Sequence, residues 1–421
     1  MPTSLVRAHA RPRSGGFPAG RRWAVLTTYP PTACGIASFS RSLITALAGA
    51  DLTVDIVRIV DAVDAVEPPA PGVAHQWVRG QAGAIAATTA VLNAYDVVLV
   101  QHEFGIFPGQ DGADVAAVLA GVRVPVVTVA HTVLTAPTAH QRSVMSGVLA
   151  ASDAIVTMTR TAASRLIDGY GVSPDDVHVI PHGVADALVA DGAHRDRALA
   201  APTRLGVRPV VLTWGLLGTG KGIEWGIDAM AQLTDLHPRP RYVVAGRTHP
   251  RVLEREGEAY RTMLTDRAQT LGIADDVRFV DDYLDEARLH RLIRSATVVL
   301  LPYDSVDQVT SGVLSEAVAA GRPVVSTVFP HAVEVLSDGV GVLVPQRDAG
   351  AIATALRGVL TDGTAAAGLR ARASAAAPEL TWTRVADRYR ALAESLPAAL
   401  PAAPPSGPPS VRHCVATAVS A

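Results

Sequence analysis

The run Gln308-Val309-Thr310-Ser311-Gly312-Val313-Leu314-Ser315-Glu316, continuing through Ala317 to Gly321 and on to Pro323-Val324-Val325-Ser326-Thr327, holds a small-residue turn, a helix and a strand. The apolar run Thr297 to Leu301 precedes it, so the pattern is strand, turn, helix, strand, the unit of a parallel α/β sheet. A helix that opens on Thr310-Ser311-Gly312 leaves unpaired backbone N–H groups at Ser311, Gly312 and Val313, where an anion can bind. Glu316 lies about one turn inside the same helix, where its carboxylate could accept hydrogen bonds from a ribose diol. Phosphate and ribose together suggest a nucleotide. Any β-α-β unit would show the same turn, so the run alone leaves the ligand open.

Working outward, the chain has 421 residues, is 49% hydrophobic and carries a formal charge of −2. That length favours two cores over one. The near-neutral balance supplies no broad basic field for nucleic acid and no acidic tail, which leaves small molecules as the expected partners. Two cysteines, Cys34 and Cys414, make no disulfide framework, and no C-x-x-C or spaced His/Cys group suggests zinc; a reducing cytoplasm fits best. No run reaches the roughly 18 to 20 apolar residues needed to span a bilayer. Residues 1–22 carry five arginines among Gly and Pro and read as a disordered leader that could touch anionic lipid at the inner membrane face. Residues 397–421 are rich in Pro, Ala and Ser and read as a disordered tail.

Strand and helix patterns alternate from Trp23. Strands are expected at Trp23–Thr28, Val54–Ile59, Asp96–Val100, Pro125–Ala130, Ala154–Thr157 and Val177–Ile180. A second series is expected at Val210–Trp214, Tyr242–Ala245, Val277–Val280, Val298–Leu301, Val324–Ser326 and Gly341–Val344. The fold class is therefore α/β, with two doubly wound, Rossmann-like parallel-sheet domains facing across a cleft. The expected boundaries are 23–195 for the first domain, 196–208 for a linker, 209–378 for the second domain and 379–396 for a terminal helix. Ligands of open parallel sheets bind beyond the carboxyl ends of the strands, which selects a few loops as functional candidates.

In the loop after the first strand, Gly35 permits close backbone approach at a helix start. Cys34 has no neighbouring base and reads as a small lining residue rather than a nucleophile. Gln101, His102 and Glu103 follow the third expected strand, and three polar side chains in a row suit a cleft and the positioning of a hydroxyl acceptor. His131 follows Ala130 at another strand end. The loop Gly215-Leu216-Leu217-Gly218-Thr219-Gly220-Lys221-Gly222 lets the chain approach a phosphate and brings the Lys221 charge to it. Gly222 stands where a P-loop needs Ser or Thr, which disfavours ATP hydrolysis. Arg247, after the strand ending at Ala245, could reach the same cleft.

In their order these sites resemble the GT-B glycosyltransferases of family 4, also called group 1, over roughly Trp23 to Leu396. Glu316 fits the second glutamate of that family's donor motif, and Gln308 stands at the first. Gly35 matches one of two loop glycines, and Cys34 the other. Leu216 stands where the family carries an arginine, while Lys221 matches its lysine. His182, in Ile180-Pro181-His182-Gly183-Val184, occupies a position usually held by asparagine and reads as structural.

The resemblance implies a retaining, metal-independent transfer of a hexose from a nucleotide diphosphate sugar, with GDP-mannose or UDP-glucose as the first donors to consider. It implies no cofactor and a glycan, lipid-linked or small-molecule acceptor. Donor contacts fall on Gly35, Leu216, Lys221, Gln308, Ser311, Gly312, Val313 and Glu316. His131 would meet the transferred sugar, Gln101, His102 and Glu103 the acceptor, and His131, Lys221 and Glu316 would form the catalytic set. The helix bearing Trp382 would return to brace the first domain. A sugar-nucleotide epimerase, with Glu103 as its acid or base, and a non-catalytic sugar-nucleotide binder are the alternatives.

Overall fold

A computed structural model describes residues 20–32, 34–49, 51–61, 71–189, 208–282, 284–305 and 308–397. The expected leader up to residue 19, most of the expected linker and the tail from residue 398 lie outside the described residues.

The first domain runs β1 Arg21–Thr27, α1 Gly35–Leu47, β2 Leu52–Val60, β3 Val73–Val78, α2 Ala84–Leu92, β4 Val97–His102, α3 Asp114–Ala120, β5 Val126–Ala130, α4 Ala139–Ala150, β6 Ala154–Thr157, α5 Arg160–Tyr170 and β7 Val177–Val179. Its seven-stranded parallel sheet has the order β3-β2-β1-β4-β5-β6-β7. The second domain runs β8 Val210–Trp214, α6 Ile223–Ala231, β9 Arg241–Ala245, α7 Pro250–Glu256, α8 Ala259–Thr270, β10 Val277–Val280, α9 Glu286–Ser295, β11 Val298–Leu301, α10 Gly312–Ala319, β12 Val324–Thr327, α11 Pro330–Leu336, β13 Val342–Val344, α12 Ala349–Thr361 and α13 Gly363–Ala376. Its six strands are ordered β10-β9-β8-β11-β12-β13. A last helix, α14, spans Trp382–Ser395.

Central strands such as Val97–Val100 and Val298–Leu301 are buried along their whole length because helices cover both faces of each sheet. The strand β3 has no counterpart in the sequence reading. It lies at the sheet edge, where only Val73 and Trp77 are buried, so it carries no continuous apolar run.

Strand order reverses between β1 and β4 and again between β8 and β11. The crevices beyond the carboxyl ends of those pairs are the natural ligand positions.

The chain crosses between the domains twice, and the two crossings pair with each other. Val184 N donates to Leu380 O at 2.7 Å, and Trp382 N donates to Val184 O at 2.9 Å. Helix α14 then packs on α1, and Val385, Tyr389 and Leu392 join the core of the first domain. Gly183 is required at this junction, because a Cβ there would lie 2.2 Å from the Trp382 ring.

Two further contacts tie the domains. Val309, just before α10, is buried with Phe104, Ala130, Val133 and Met145 of the first domain. Glu334 of α11 accepts hydrogen bonds from Arg160 N at 2.8 Å and Thr161 N at 3.2 Å, the first two amides of α5. A carboxylate from one domain thus caps a helix of the other. Glu334→Ala should cost about 0.5–2 kcal/mol, the range for a lost helix cap, read as a lower denaturant midpoint. Arg160→Ala, which removes a largely exposed guanidinium 3.7 Å from Glu334, should leave the midpoint unchanged. Equal effects of the two substitutions would rule out the capping role.

Candidate active site

At the reversal point of the second sheet, α10 opens on Ser311, whose Oγ accepts from Leu314 N at 3.3 Å as an N-cap. Ser311 N donates to His331 Nδ1 at 2.8 Å. This corrects the expectation that three amides from Ser311 to Val313 are open to an anion: the first is already taken by a buried imidazole. Gly312 N and Val313 N, at the first two positions of the helix, keep no partner among the described residues.

The β8 exit loop lies beside this helix start. A Cβ on Gly215 would touch Val313 Cγ2 at 3.5 Å, and one on Gly222 would overlap Pro302 O at 2.0 Å, so the left-handed glycine at 222 lets the loop close onto the β11 exit. Lys221 Nζ lies 4.3 Å from the centre of the Tyr303 ring, a cation–π contact that holds the ammonium at the crevice. Leu216 is half-buried in the same loop. The next residue, Leu217, donates through its N–H to Arg247 O at 2.9 Å, which places the Arg247 backbone beside the loop while its side chain is exposed.

Glu316 is half-buried, and one carboxylate oxygen accepts from Trp214 Nε1 at 2.9 Å. Burial pushes its pKa up to about 7, against the lowering effect of the Trp214 hydrogen bond. Gln308 is turned back on its own segment, with Nε2 donating to Thr310 O at 2.6 Å.

From the first domain, Gly35 opens α1 in an exposed position, and a Cβ there would meet nothing within 4 Å. Cys34 is more than a lining residue. Its Sγ lies 3.3 Å from Ala37 N, as the cap of α1, and 3.1 Å from Thr28 Oγ1. The sequence hid this because Cys is not among the usual capping residues. Phe39, one turn further on, meets His131 at 4.9 Å, His182 at 5.1 Å and Trp382 at 5.0 Å between ring centres, all edge-to-face.

The expectation that Gln101, His102 and Glu103 all face the cleft does not hold. Gln101 and His102 are the last residues of β4, in register with Val129 and Ala130 of β5, and both are fully buried. Strand alternation sends them to opposite faces. Gln101 Oε1 lies 2.7 Å from His131 Nε2. His102 packs between Phe104 and Phe107 and has no hydrogen-bond partner on either ring nitrogen among the described residues. Glu103 is occupied locally, accepting from Gly105 N at 2.8 Å, which weakens it as the acid or base of an epimerase.

Two residues at the helix start were not among the expected contacts: His182, read from the sequence as structural, and His331, which the sequence reading did not single out. His182 touches the start of α10 across the cleft, for a Cβ on Gly312 would lie 2.9 Å from its Nε2. His331 holds the Ser311 amide. A histidine one residue after Pro330 gave no signal, since its partner lies twenty residues earlier. Burial, first of all, lowers His131 to about 3, His182 to about 4 and His331 to about 3, with repulsion from His182 a smaller cause at His131 and His331. The three rings therefore stand neutral around the helix start.

Residues 34–188 match the family Glycosyltransferase Family 4, and residues 197–379 match Glycosyl transferases group 1. The chain belongs to the group 1 glycosyltransferases. It is 32% identical to the D-inositol 3-phosphate glycosyltransferase 1 of Catenulispora acidiphila, over 76% of this chain and 71% of that protein. It is 30% identical to the glycogen synthase of Mycobacterium tuberculosis, over 58% of this chain and 54% of that protein. Several of the other similar relatives are likewise matched over only about half of their length, as with the D-inositol 3-phosphate glycosyltransferase of Stackebrandtia nassauensis at 53%. The fold is shared with the Anabaena protein HepE in complex with UDP, at a TM-score of 0.68 and 17% identity, covering 89% of this chain and all of that one. It is shared also with sucrose-phosphate synthase from Thermosynechococcus elongatus, at a TM-score of 0.67 and 20% identity, covering 89% and 98%. These are GT-B architectures, as the two facing sheets require. No helix among the described residues is long and apolar enough to cross a membrane.

The Glu316 environment predicts a pH signature in the unliganded glycosyltransferase. Between the ordinary carboxyl value of 4.5 and about 7 the native state holds a proton that the unfolded chain has released. The stability this group contributes is therefore present below that window and is lost as pH rises through it. Glu316→Gln keeps an acceptor for Trp214, so its thermal midpoint relative to wild type should be level below about pH 4 and climb towards about pH 8. A difference that is flat with pH would show that the carboxyl titrates normally.

Proposed function

We propose that this glycosyltransferase transfers a hexose from a nucleotide diphosphate sugar to a hydroxyl acceptor, with retention of configuration and without a metal ion. The carrying observation is the start of α10, where two unpaired amides, Lys221 and Glu316 converge at the reversal point of the second sheet. The diphosphate would lie on Gly312 N and Val313 N with Lys221 beside it, supplying positive charge where the leaving group develops its negative charge. Glu316 would take the ribose through its remaining carboxylate oxygen, and Leu216 would line the nucleotide. Gln308, bound to Thr310 O, would orient the turn ahead of the amides.

Across the cleft Gly35 leaves open space for the acceptor and the phosphates, and His131 would face the transferred sugar. Gln101 orients His131: its carbonyl oxygen can only accept, so the neutral ring carries its proton on Nε2. Among the described residues the titratable groups that bear on His131 are histidines, so the departing phosphate would serve as the base for the acceptor hydroxyl, which suits same-face transfer. Domain closure over Val309 and Glu334 would keep water from the donor.

Solved structures of the same fold carry UDP-glucose, which puts UDP-glucose ahead of GDP-mannose as the donor to test. The names of the relatives make a phosphorylated cyclitol the first acceptor.

A panel of nucleotide sugars, scored by thermal stabilisation and then by hydrolysis and transfer, tests the reading. Lys221→Ala should reduce transfer on the order of a hundredfold to a thousandfold. Failure of every nucleoside diphosphate and nucleotide sugar to bind would overturn the proposal. Binding without hydrolysis or transfer would leave a sugar-nucleotide binder instead.

A further inference from the structure

The crossing segment between the domains presses His182 against the helix start where the proposed diphosphate lies. Its Nδ1 is 2.7 Å from Gly183 O, an atom that can only accept, so in the neutral ring the proton resides on Nδ1. Nε2 is then a bare lone pair. That atom lies 2.9 Å from the position of a Cβ on Gly312, at the mouth of the Gly312 and Val313 amides, and has no hydrogen-bond partner among the described residues.

A phosphate oxygen seated on those amides would meet a second acceptor. Two acceptors repel unless a proton lies between them. The titratable groups that face His182 are His131, from the end of β5, and His331, from α11. Its other ring neighbours, Phe39 of α1 and Trp382 of α14, are uncharged, as is Gly312 of α10. Among the described residues these neighbours supply no proton, and no carboxylate bears on the ring.

We infer that His182 takes up a proton from solvent when the nucleotide diphosphate binds, and that the resulting imidazolium donates from Nε2 to a phosphate oxygen. One N–H bond forms at Nε2, the other proton stays on Nδ1 and still donates to Gly183 O, and the site gains one positive charge against the two negative charges of a diphosphate diester. Lys221 is then joined by a second cation, contributed by the other domain and present only when the donor is in place.

Without a bound anion burial lowers His182 to about 4, so the ring is neutral in weak acid. An anion within about 4–6 Å commonly raises such a group by about 1 to 3 units, enough to charge it in weak acid. The same event ties the domains together, because the hydrogen bond runs from a first-domain ring to a ligand held by the second.

This inference rests on the proposed donor site, and its test separates the two. Titration calorimetry with UDP-glucose, whose diphosphate has no group titrating near neutrality, is run at about pH 6 in buffers of different ionisation enthalpy. Wild type should take up about half a proton or more per donor beyond whatever His182→Asn takes up. Equivalently, the ratio of wild-type to variant affinity should rise about threefold per pH unit as pH falls from about 7 to 5. Because the result is a difference between proteins that both keep Glu316, titration of that carboxyl cancels. His182→Gln serves if the shorter side chain does not fold. Donor binding with equal proton uptake in wild type and variant would overturn the inference and leave the donor site standing. Failure of every nucleoside diphosphate and nucleotide sugar of the panel to bind would remove the diphosphate and overturn both.

Discussion

Gly312 has no side chain, and the His182 imidazole occupies the space that one would fill. This close packing joins the Val184 pairing, Val309 and Glu334 in setting the approach of the two domains. A Cβ at 312 would lie 2.9 Å from Nε2, so the His182 ring would have to shift to admit it. The absence of a side chain at Gly183, against the Trp382 ring, makes the same kind of demand one residue later. Close approach at 312 and 183 therefore fixes where the cleft closes, and Val309 and Glu334 add an apolar contact and a polar one on either side.

Phe39 converts that packing into a rigid support. Its ring meets His131, His182 and Trp382 edge-on, so one aromatic side chain of α1 positions the ring expected to face sugar, the ring at the helix start and the anchor of α14. Because α14 comes from the far end of the chain and joins the first-domain core, the support is held by residues distant in sequence. Loosening α14 would reach the site through Trp382 and Phe39 rather than through a direct contact with ligand.

Much of the sheet architecture was legible because parallel strands buried on both faces read as apolar runs: Val298–Leu301 and Ala154–Thr157 were placed with the observed bounds. The edge strand β3 escaped because an edge needs no such run. Glycine turns marked the β8 and β11 exits, since a backbone that packs as tightly as Gly222 against Pro302 tolerates little else. Polar residues were harder. Gln101 and His102 looked like cleft residues because burying a polar side chain is costly, yet the strand simply continues through them, and Gln101 recovers part of that cost through His131. His182 and His331 act through partners 130 and 20 residues away in the chain, and no local pattern encodes such a meeting.

The electrostatic character of the cleft follows from these burials. His131, His182 and His331 are kept neutral because each is desolvated, and a charge on His182 would repel the other two. Without a ligand the positive potential at the helix start comes from the two unpaired amides and from Lys221, which rests on the Tyr303 face. An ammonium held against an aromatic ring gives up part of its hydration in advance, so less remains to be lost when an anion arrives. The His331 ring contributes without a charge: by accepting the Ser311 amide it removes one donor and leaves the adjacent pair at Gly312 and Val313 as the edge open to the proposed anion. A narrower edge of two amides sets where an anion sits along the helix axis, and that position determines which first-domain side chains it can meet.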